Sequence, residues 1–197
     1  MPRSPQLVLA SASPRRSELL LNAGFLFSVK APHIDESPRP GEPPLAYAKR
    51  LAREKARAIH QHHPSYFVLG ADTIVLIEKR VLGKPKKSGD AARMLRLLSG
   101  RAHKVITAVC LIGTEPKKRS FEDTRAETTR VFMRKLTEKE ISDYIATKEP
   151  MDKAGAYAIQ GRASRWIPKI AGDYFNVVGL PVALVSEMLH EHGFRGR

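Results

Sequence analysis

Apolar positions along this chain form short runs and helical stripes that alternate from one end to the other. Short runs rich in aliphatic, aromatic and β-branched residues are typical of buried strands. We predict strands over 6–10, 25–29, 66–77, 105–112 and 124–133, the last two paired. Helical spacing of apolar residues, with Pro, capping or Gly signals at the ends, predicts helices over 16–22, 43–62, 88 or 90 to 100, 137–147 and 181–193. Because strands and helices alternate, we expect an α/β protein with a mixed sheet and flanking helices.

Three segments interrupt this alternation. Residues 33–44 are rich in proline and must form a loop. Residues 152–161 and 165–178 follow neither period, so we expect irregular structure there. No linker or change of composition marks a boundary, and a length of 197 residues favours one domain.

Composition indicates the class of protein, and net charge indicates the kind of partner. The hydrophobic fraction of 42% is that of an ordinary globular protein and excludes a mainly disordered chain. Lys and Arg exceed Asp and Glu by 14, and the excess is spread along the chain. Such a surplus favours an anionic partner but does not choose among a nucleotide, a nucleic acid and an acidic surface.

The single cysteine, Cys110, excludes an internal disulfide framework and a cysteine-based zinc site. Apolar runs are far shorter than the roughly 20 residues that a membrane helix needs. The first ten residues do not have the pattern of a secretory signal. We therefore expect a cytoplasmic protein that does not enter a membrane.

The segment from Ser11 to Arg16 lies between a predicted strand and a predicted helix. A helix start offers unpaired N–H groups and the positive end of the helix dipole. The hydroxyls of Ser11 and Ser13 and the guanidinium groups of Arg15 and Arg16 would complete a phosphate site there. An equally simple interpretation is a capping serine followed by two solvated arginines. The pattern is not a Walker A loop.

Two acidic positions are candidates for chemistry. Asp72 interrupts an apolar strand, where a carboxylate is costly unless it is paired, hydrogen-bonded or bound to a metal. Its alternative role is a strand end or bulge that bonds the backbone. The second acidic position, the pair Asp35-Glu36 in the proline-rich loop, becomes relevant if that loop covers a cleft holding Asp72. Two carboxylates there would suit Mg²⁺ or Mn²⁺ between phosphate oxygens.

Two bases and one amide complete the candidates. Lys84 lies between Gly83 and Pro85, which constrain the turn that carries it. Lys55 lies on a helix with many basic residues, most of which must face solvent. We therefore rank Lys84 above Lys55 as a functional base. Gln160 lies among small residues that allow close approach of a ligand, and its amide can read a base edge. The alternative interpretation of Gln160 is an exposed residue in a loop and short strand.

Eight sequence blocks, spread in order from about residue 7 to residue 189, carry a resemblance to a known family. They are LASASPRRSELL (9–20), HIDES (33–37), YAKRLAREKA (47–56), GADTIV (70–75), LGKP (82–85), LSGRAHKVITAV (98–109), EPMDKAGAYAIQG (149–161) and GDYFNVVGLP (172–181). Together they resemble the Maf nucleotide pyrophosphatases. The form DKAGAYAIQG is similar to the branch that acts on dTTP and UTP.

The resemblance implies a single domain over 1–197, with a long mixed twisted sheet and two lobes around a central cleft, as in the inosine triphosphate pyrophosphatases. It implies metal-dependent hydrolysis of a nucleoside triphosphate to the monophosphate and pyrophosphate, with Mg²⁺ or Mn²⁺ and a homodimer. A variant of this hypothesis keeps the enzyme and makes modified pyrimidine nucleotides its substrates. The implied roles are proton acceptor for Asp72; base selection for Arg15, Thr73 and Gln160; phosphate binding for Ser11, Arg16, Lys55 and Lys84; and metal binding for Glu36 with Asp72.

A second hypothesis belongs to another class. The positive charge would also suit a nucleic-acid-binding or division-related regulatory protein with a vestigial nucleotide cleft. Against it, the sequence has no set of aromatic residues beside its bases and no recognition-helix pattern.

Overall fold

The structure, a computed structural model, describes residues 6–114 and 120–194. Within these ranges the chain forms a seven-stranded sheet and six α-helices. The strands are β1 (Leu7–Ala10), β2 (Phe27–Lys30), β3 (Phe67–Ile77), β4 (Arg80–Leu82), β5 (Ala102–Thr114), β6 (Ser120–Phe132) and β7 (Lys169–Ala171). The helices are α1 (Pro14–Asn22), α2 (Pro44–His60), α3 (Ser88–Leu98), α4 (Glu138–Ala146), α5 (Tyr174–Val178) and α6 (Val182–Glu191).

The sheet is mixed, as predicted, with strand order β2-β1-β3-β5-β6-β7 and with β4 paired to β3. Strand β1 is parallel to both β2 and β3, and its register places Ala10 opposite Gly70. The pairs β3–β4 and β6–β7 are antiparallel. Both β1 and β3 consist mainly of buried apolar residues, as expected for parallel strands covered on two faces.

The chain divides into two compact units. The first unit contains the described residues within 1–72, 107–127 and 179–197, and the second contains 73–106 and 128–178. The prediction of a single domain with a central cleft stays a prediction.

In the first unit, Gly70 lets helix α2 approach strand β3 very closely. A Cβ atom at Gly70 would lie 2.3 Å from the carbonyl oxygen of Ala52 and 2.9 Å from the Cβ of Ala56. Such distances are sterically forbidden, so only glycine fits at this contact. The side chain of Lys55, next to these alanines on α2, is thereby brought to β3.

In the second unit, Trp166 and Tyr144 are fully buried and meet edge to face with ring centroids 5.0 Å apart. Tyr144 belongs to α4, which begins with the predicted capping box between Thr137 and Glu140. This core supports the short 3₁₀ helices over 149–152, 154–156 and 162–166.

The predicted elements are all present, with ends shifted by a few residues. The expectation of irregular structure over 152–161 and 165–178 was wrong in part, because it missed the 3₁₀ helices, β7 and α5. These elements are three to five residues long, too short to show a period. Helix α3 begins at Ser88, the earlier of the two predicted starts, and its N-cap residue Lys87 makes no side-chain cap bond. In the described ranges, no helix combines the length and the apolar character needed to cross a membrane.

Candidate functional site

Ser11 and Arg16 lie where the parallel strand β1 ends and α1 begins, beside the middle of strand β3. The Ser11 hydroxyl accepts a hydrogen bond from the Ser13 N–H at 3.1 Å and one from Arg16 Nη1 at 3.2 Å. The same Nη1 donates to the Ala71 carbonyl at 2.9 Å. Carboxyl ends of parallel strands are common ligand sites in α/β proteins, because the loops that follow them converge there.

Arg16 is buried, so the alternative interpretation of two solvated arginines is wrong for Arg16. Its Nε also donates to the Gly179 carbonyl, at 2.8 Å, which ties α1 to the segment that leads into α6. Burial lowers the pKa of the Arg16 guanidinium, and the nearby charge of Asp72 opposes that shift. Arg16 therefore adds positive charge to the surroundings of Asp72 from a fixed position.

Lys55 joins the two candidate carboxylates. Its Nζ lies 2.7 Å from Asp72 Oδ1 and 2.7 Å from Glu36 Oε1. The ammonium side chain is buried, so the interpretation of Lys55 as one of many solvent-facing bases was wrong. The structure thus brings together Asp72, predicted from its apolar strand, and Glu36, predicted from its loop.

The carboxyl group of Asp72 is in an environment that changes its acidity. Burial raises its pKa, while the charges of Lys55 and Arg16 act in the opposite direction. Glu36 adds to the increase, since two like charges disfavour each other. A carboxylate of raised pKa is a stronger base than an ordinary aspartate, which suits proton abstraction.

Glu36 is held by two residues that the sequence analysis did not single out. The Tyr47 hydroxyl donates to the Glu36 carbonyl oxygen at 2.8 Å. Arg50 donates to the Ser37 carbonyl at 3.0 Å and to both carboxylate oxygens of Glu42, at 2.7 and 2.8 Å. We call Tyr47 and Arg50 the loop strap, because they fasten the segment around Glu36 to helix α2.

The remaining candidates are distributed over both units. Arg15 follows Pro14 in α1 and is half-buried, and Thr73 directly follows Asp72 in β3. Lys84 and Gln160 are exposed and belong to the second unit. There the Gly83 carbonyl, next to Lys84, accepts a bond from the Gly155 N–H at 3.0 Å.

The carboxylates of Glu36 and Asp72 suit a divalent cation only if a bound substrate supplies further oxygen atoms. Among residues 6–114 and 120–194, no group of three or more His, Cys, Asp or Glu side chains could hold a metal ion. Glu36 and Asp72 together supply two hard oxygen donors. Mg²⁺ is commonly held by one or two carboxylates, substrate phosphates and water. The residues present therefore fit a cation that arrives with a triphosphate.

A family profile described as Maf-like protein matches residues 6–192 of the chain. The chain belongs to the Maf-like protein family. It is 54% identical over 187 residues to a protein of Koribacter versatilis named dTTP/UTP pyrophosphatase, covering 95% of this chain and 94% of that one. Proteins of the same name from Geobacillus sp. and Citrifermentans bemidjiense are 51% and 50% identical. These matches cover 90% and 98% of this chain, and 93% and 99% of those proteins.

Among solved structures, the Staphylococcus aureus Ham1 protein matches 94% of this Maf-like chain and 98% of its own, with 12% identity and a TM-score of 0.48.

Sequence signals for the burial of Lys55 and Arg50 in this Maf-like protein were present but ambiguous. Lys55 comes four residues after Leu51 and three after Ala52, so it falls on the buried stripe of α2. Arg50 is also buried, but its partners Glu42 and Ser37 lie in a loop whose path the sequence did not predict.

Proposed function

We propose that this Maf-like protein is a nucleoside triphosphate pyrophosphatase that converts dTTP and UTP to the monophosphate and pyrophosphate. Relatives that are 50–54% identical over nearly the whole chain and are named dTTP/UTP pyrophosphatase support this activity. The structural observation that carries it is the buried carboxylate of Asp72 in strand β3, 2.7 Å from Lys55 Nζ and two residues past the last β3 residue that pairs with β1. A base held among cations is the arrangement that hydrolysis of a polyanion requires.

In the proposed reaction, a water molecule attacks the α-phosphorus and Asp72 takes its proton. The bond between the α-phosphorus and the oxygen that bridges to the β-phosphate breaks, and pyrophosphate leaves with that electron pair. Ser11, Arg16, Lys55 and Lys84 bind the phosphates, and the cationic side chains offset the charge of the leaving group. Positioning and charge stabilisation account for most of the catalysis in phosphoryl transfer.

Glu36 and Asp72 would hold Mg²⁺ or Mn²⁺ together with phosphate oxygens of the substrate. When bound, the cation neutralises charge on the triphosphate and on the departing pyrophosphate. The ammonium group of Lys55 contacts the carboxylates of both Glu36 and Asp72, and so it keeps them side by side.

Base selection is assigned to Arg15, Thr73 and Gln160. The side-chain amide of Gln160 offers a donor and an acceptor that match the O2, N3 and O4 edge of uracil or thymine. A site that hydrogen-bonds a substrate group strongly rejects analogues that lack it.

The cytoplasmic location, the homodimer and the nucleic-acid alternative stay predictions.

The test of the activity is a panel of UTP, dTTP, CTP, ATP and GTP with Mg²⁺ or Mn²⁺, in which pyrophosphate and orthophosphate are measured separately. We expect pyrophosphate release with a preference for UTP and dTTP. Orthophosphate as the first product, or no turnover of any triphosphate, would exclude the proposed activity.

The test of the role of Asp72 is the variant Asp72→Asn, which keeps the shape but cannot take a proton. We expect kcat to fall by at least about 100-fold, since general base catalysis contributes that much or more. Because burial raises the pKa of Asp72, the acid limb of the wild-type rate profile should lie above the ordinary aspartate value of about 3.9. Asp143→Asn, which removes an exposed carboxylate that pairs with Lys139, should keep the wild-type rate. A wild-type rate in Asp72→Asn would show that another group is the base.

A further inference from the structure

The turn that carries Gln160 is fixed by side chains on both sides of that residue. On one side, the Ala158 N–H donates to the Tyr144 hydroxyl oxygen at 3.1 Å. On the other, the Arg162 N–H donates to Glu149 Oε1 at 3.0 Å. The Gly161 N–H closes the turn onto the Ala158 carbonyl at 3.1 Å. Gln160 itself is exposed, between two anchored backbone positions.

The two anchoring side chains are also bonded to each other. The Tyr144 hydroxyl donates to Glu149 Oε1 at 2.9 Å, so one oxygen of Glu149 accepts from both Tyr144 and Arg162. The Tyr144 ring is 1% exposed and packs edge to face on Trp166. Burial raises the pKa of Tyr144, so its hydroxyl stays protonated and available as a donor at any working pH. The pair of Tyr144 and Glu149, which we call the turn clamp, is therefore rooted in the core of the second unit.

Glu149 is held at its backbone as well as at its carboxylate. Its N–H donates to Thr147 Oγ1 at 3.2 Å, and its carbonyl accepts from Lys153 Nζ at 3.1 Å. The carboxylate lies so close to the turn that a Cβ atom at Gly161 would be 2.1 Å from Oε1. The absence of a side chain at Gly161 is thus what lets the carboxylate reach the turn.

We propose that Tyr144 and Glu149 are positioning residues that set the base selectivity of the enzyme by holding the backbone on both sides of Gln160. The inference rests on the proposed pyrophosphatase function. A glutamine amide has several rotatable bonds and can pair with different base edges when its backbone is free to move. Discrimination requires a reading group whose supporting atoms are fixed to within a fraction of an ångström. The turn clamp supplies that restraint without touching the substrate.

The experiment compares kcat/KM for UTP with kcat/KM for CTP in the full-length protein. Tyr144→Phe removes the hydroxyl that serves both Ala158 and Glu149, and Glu149→Ala removes the acceptor of Arg162. We expect each to lower the UTP preference by about tenfold, as the loss of one to two hydrogen bonds implies. Glu149→Gln keeps an oxygen at the same position and should preserve the preference. Tyr157→Phe is the matched control, because it removes a buried tyrosine hydroxyl from the same segment, 2.8 Å from His103 Nε2, outside the turn clamp.

A second arm separates positioning from a general loss of fold. Gln160→Ala should lower the UTP preference, and adding Tyr144→Phe to Gln160→Ala should lower it no further, since no reading group remains to be positioned. The inference is overturned if Tyr144→Phe keeps the wild-type preference for UTP or lowers kcat/KM for UTP and CTP by the same factor. It is also overturned if Tyr144→Phe lowers the preference by the same factor when Gln160→Ala is already present. A wild-type protein that releases no pyrophosphate from any triphosphate would instead refute the proposed function itself.

Discussion

His103 is a buried imidazole that lies outside the candidate site. Its ring is 3% exposed, and Nε2 lies 2.8 Å from the Tyr157 hydroxyl. Nδ1 has no hydrogen-bond partner among the described residues. Protonation would place a charged N–H group in this apolar surrounding without an acceptor. Burial accordingly lowers the pKa of His103 to about 4.

This shift predicts a loss of stability in mild acid. The ordinary pKa of 6.5 applies to the unfolded chain, so between pH 6.5 and about 4 the unfolded state binds more protons than the folded state. The free energy of unfolding should therefore decrease as the pH is lowered from 6.5 to about 4. His103 contributes up to about 3 kcal/mol to this decrease. Urea unfolding at pH 4 to 8 measures it.

The variant His103→Gln, which keeps a partner for Tyr157, should make the free energy of unfolding less dependent on pH between 4 and 6.5. His190→Gln, at an exposed histidine of α6, should leave that dependence as in the wild type. If His103→Gln and wild type lose stability in parallel as the pH falls, another group causes the acid sensitivity.

At the scale of elements, helix α2 organises the first unit through two of its faces. One face packs on β3 at Gly70 and delivers Lys55 to Asp72. The other face of α2 holds the loop that precedes the helix, through the loop strap of Tyr47 and Arg50. The position of Glu36 thus depends on Arg50, one and a half turns before Lys55 on the same helix. Arg50 fits this task because its guanidinium serves a backbone carbonyl and two carboxylates at once.

We predict that Arg50→Lys frees the loop around Glu36 while the helix stays folded. A lysine cannot reproduce the bidentate contact with Glu42 together with the bond to the Ser37 carbonyl. Amide hydrogen exchange over 36–42 should rise by roughly tenfold, as expected when about one net hydrogen bond is lost from a local structure. The Mg²⁺ concentration that gives half-maximal activity should rise as well, because Glu36 is a proposed metal ligand.

Arg39→Lys is the control for this variant, because Arg39 lies in the same loop and makes an exposed ion pair with Glu54. It should change neither quantity appreciably. Unchanged exchange over 36–42 in Arg50→Lys would refute the role of the loop strap.

The sequence predicted those features that depend on neighbouring residues. Asp72 stood out because a carboxylate is costly in an apolar strand, and the Thr137 capping box fixed the start of α4. Features that depend on packing between distant segments were missed. The burial of Lys55 follows from the close approach at Gly70, and the role of Glu149 follows from the fold of the turn around Gln160. In both cases the contacts of a charged residue were not predicted, because a partner lies far away in sequence or in a segment without a period.

At the scale of the whole molecule, the excess of 14 positive charges is the least expected property of a protein proposed to bind a small anion. Many surface cations in the described ranges are paired, as Arg96 is with Glu138 and Arg57 with Glu122. Others are exposed and have no carboxylate within salt-bridge distance among the described residues, including Lys104, Arg130 and Lys169. The nucleic-acid alternative rests on the same charge and stays a prediction.

We predict that this charge speeds the capture of the triphosphate, so that kcat/KM for UTP falls as salt rises. A protein of this charge attracts a polyanion over distances comparable to the Debye length, about 10 Å at 0.1 M salt. Raising KCl from about 20 to about 300 mM, at fixed free Mg²⁺, should lower kcat/KM several-fold while kcat at saturating UTP changes little. The triple variant Lys104→Gln, Arg130→Gln, Lys169→Gln should have a lower kcat/KM at low salt and a weaker salt dependence. It should equal the wild type at high salt, where the field is screened. A kcat/KM that is independent of salt, or a kcat that falls in parallel with it, would show that the surplus charge does not steer the substrate.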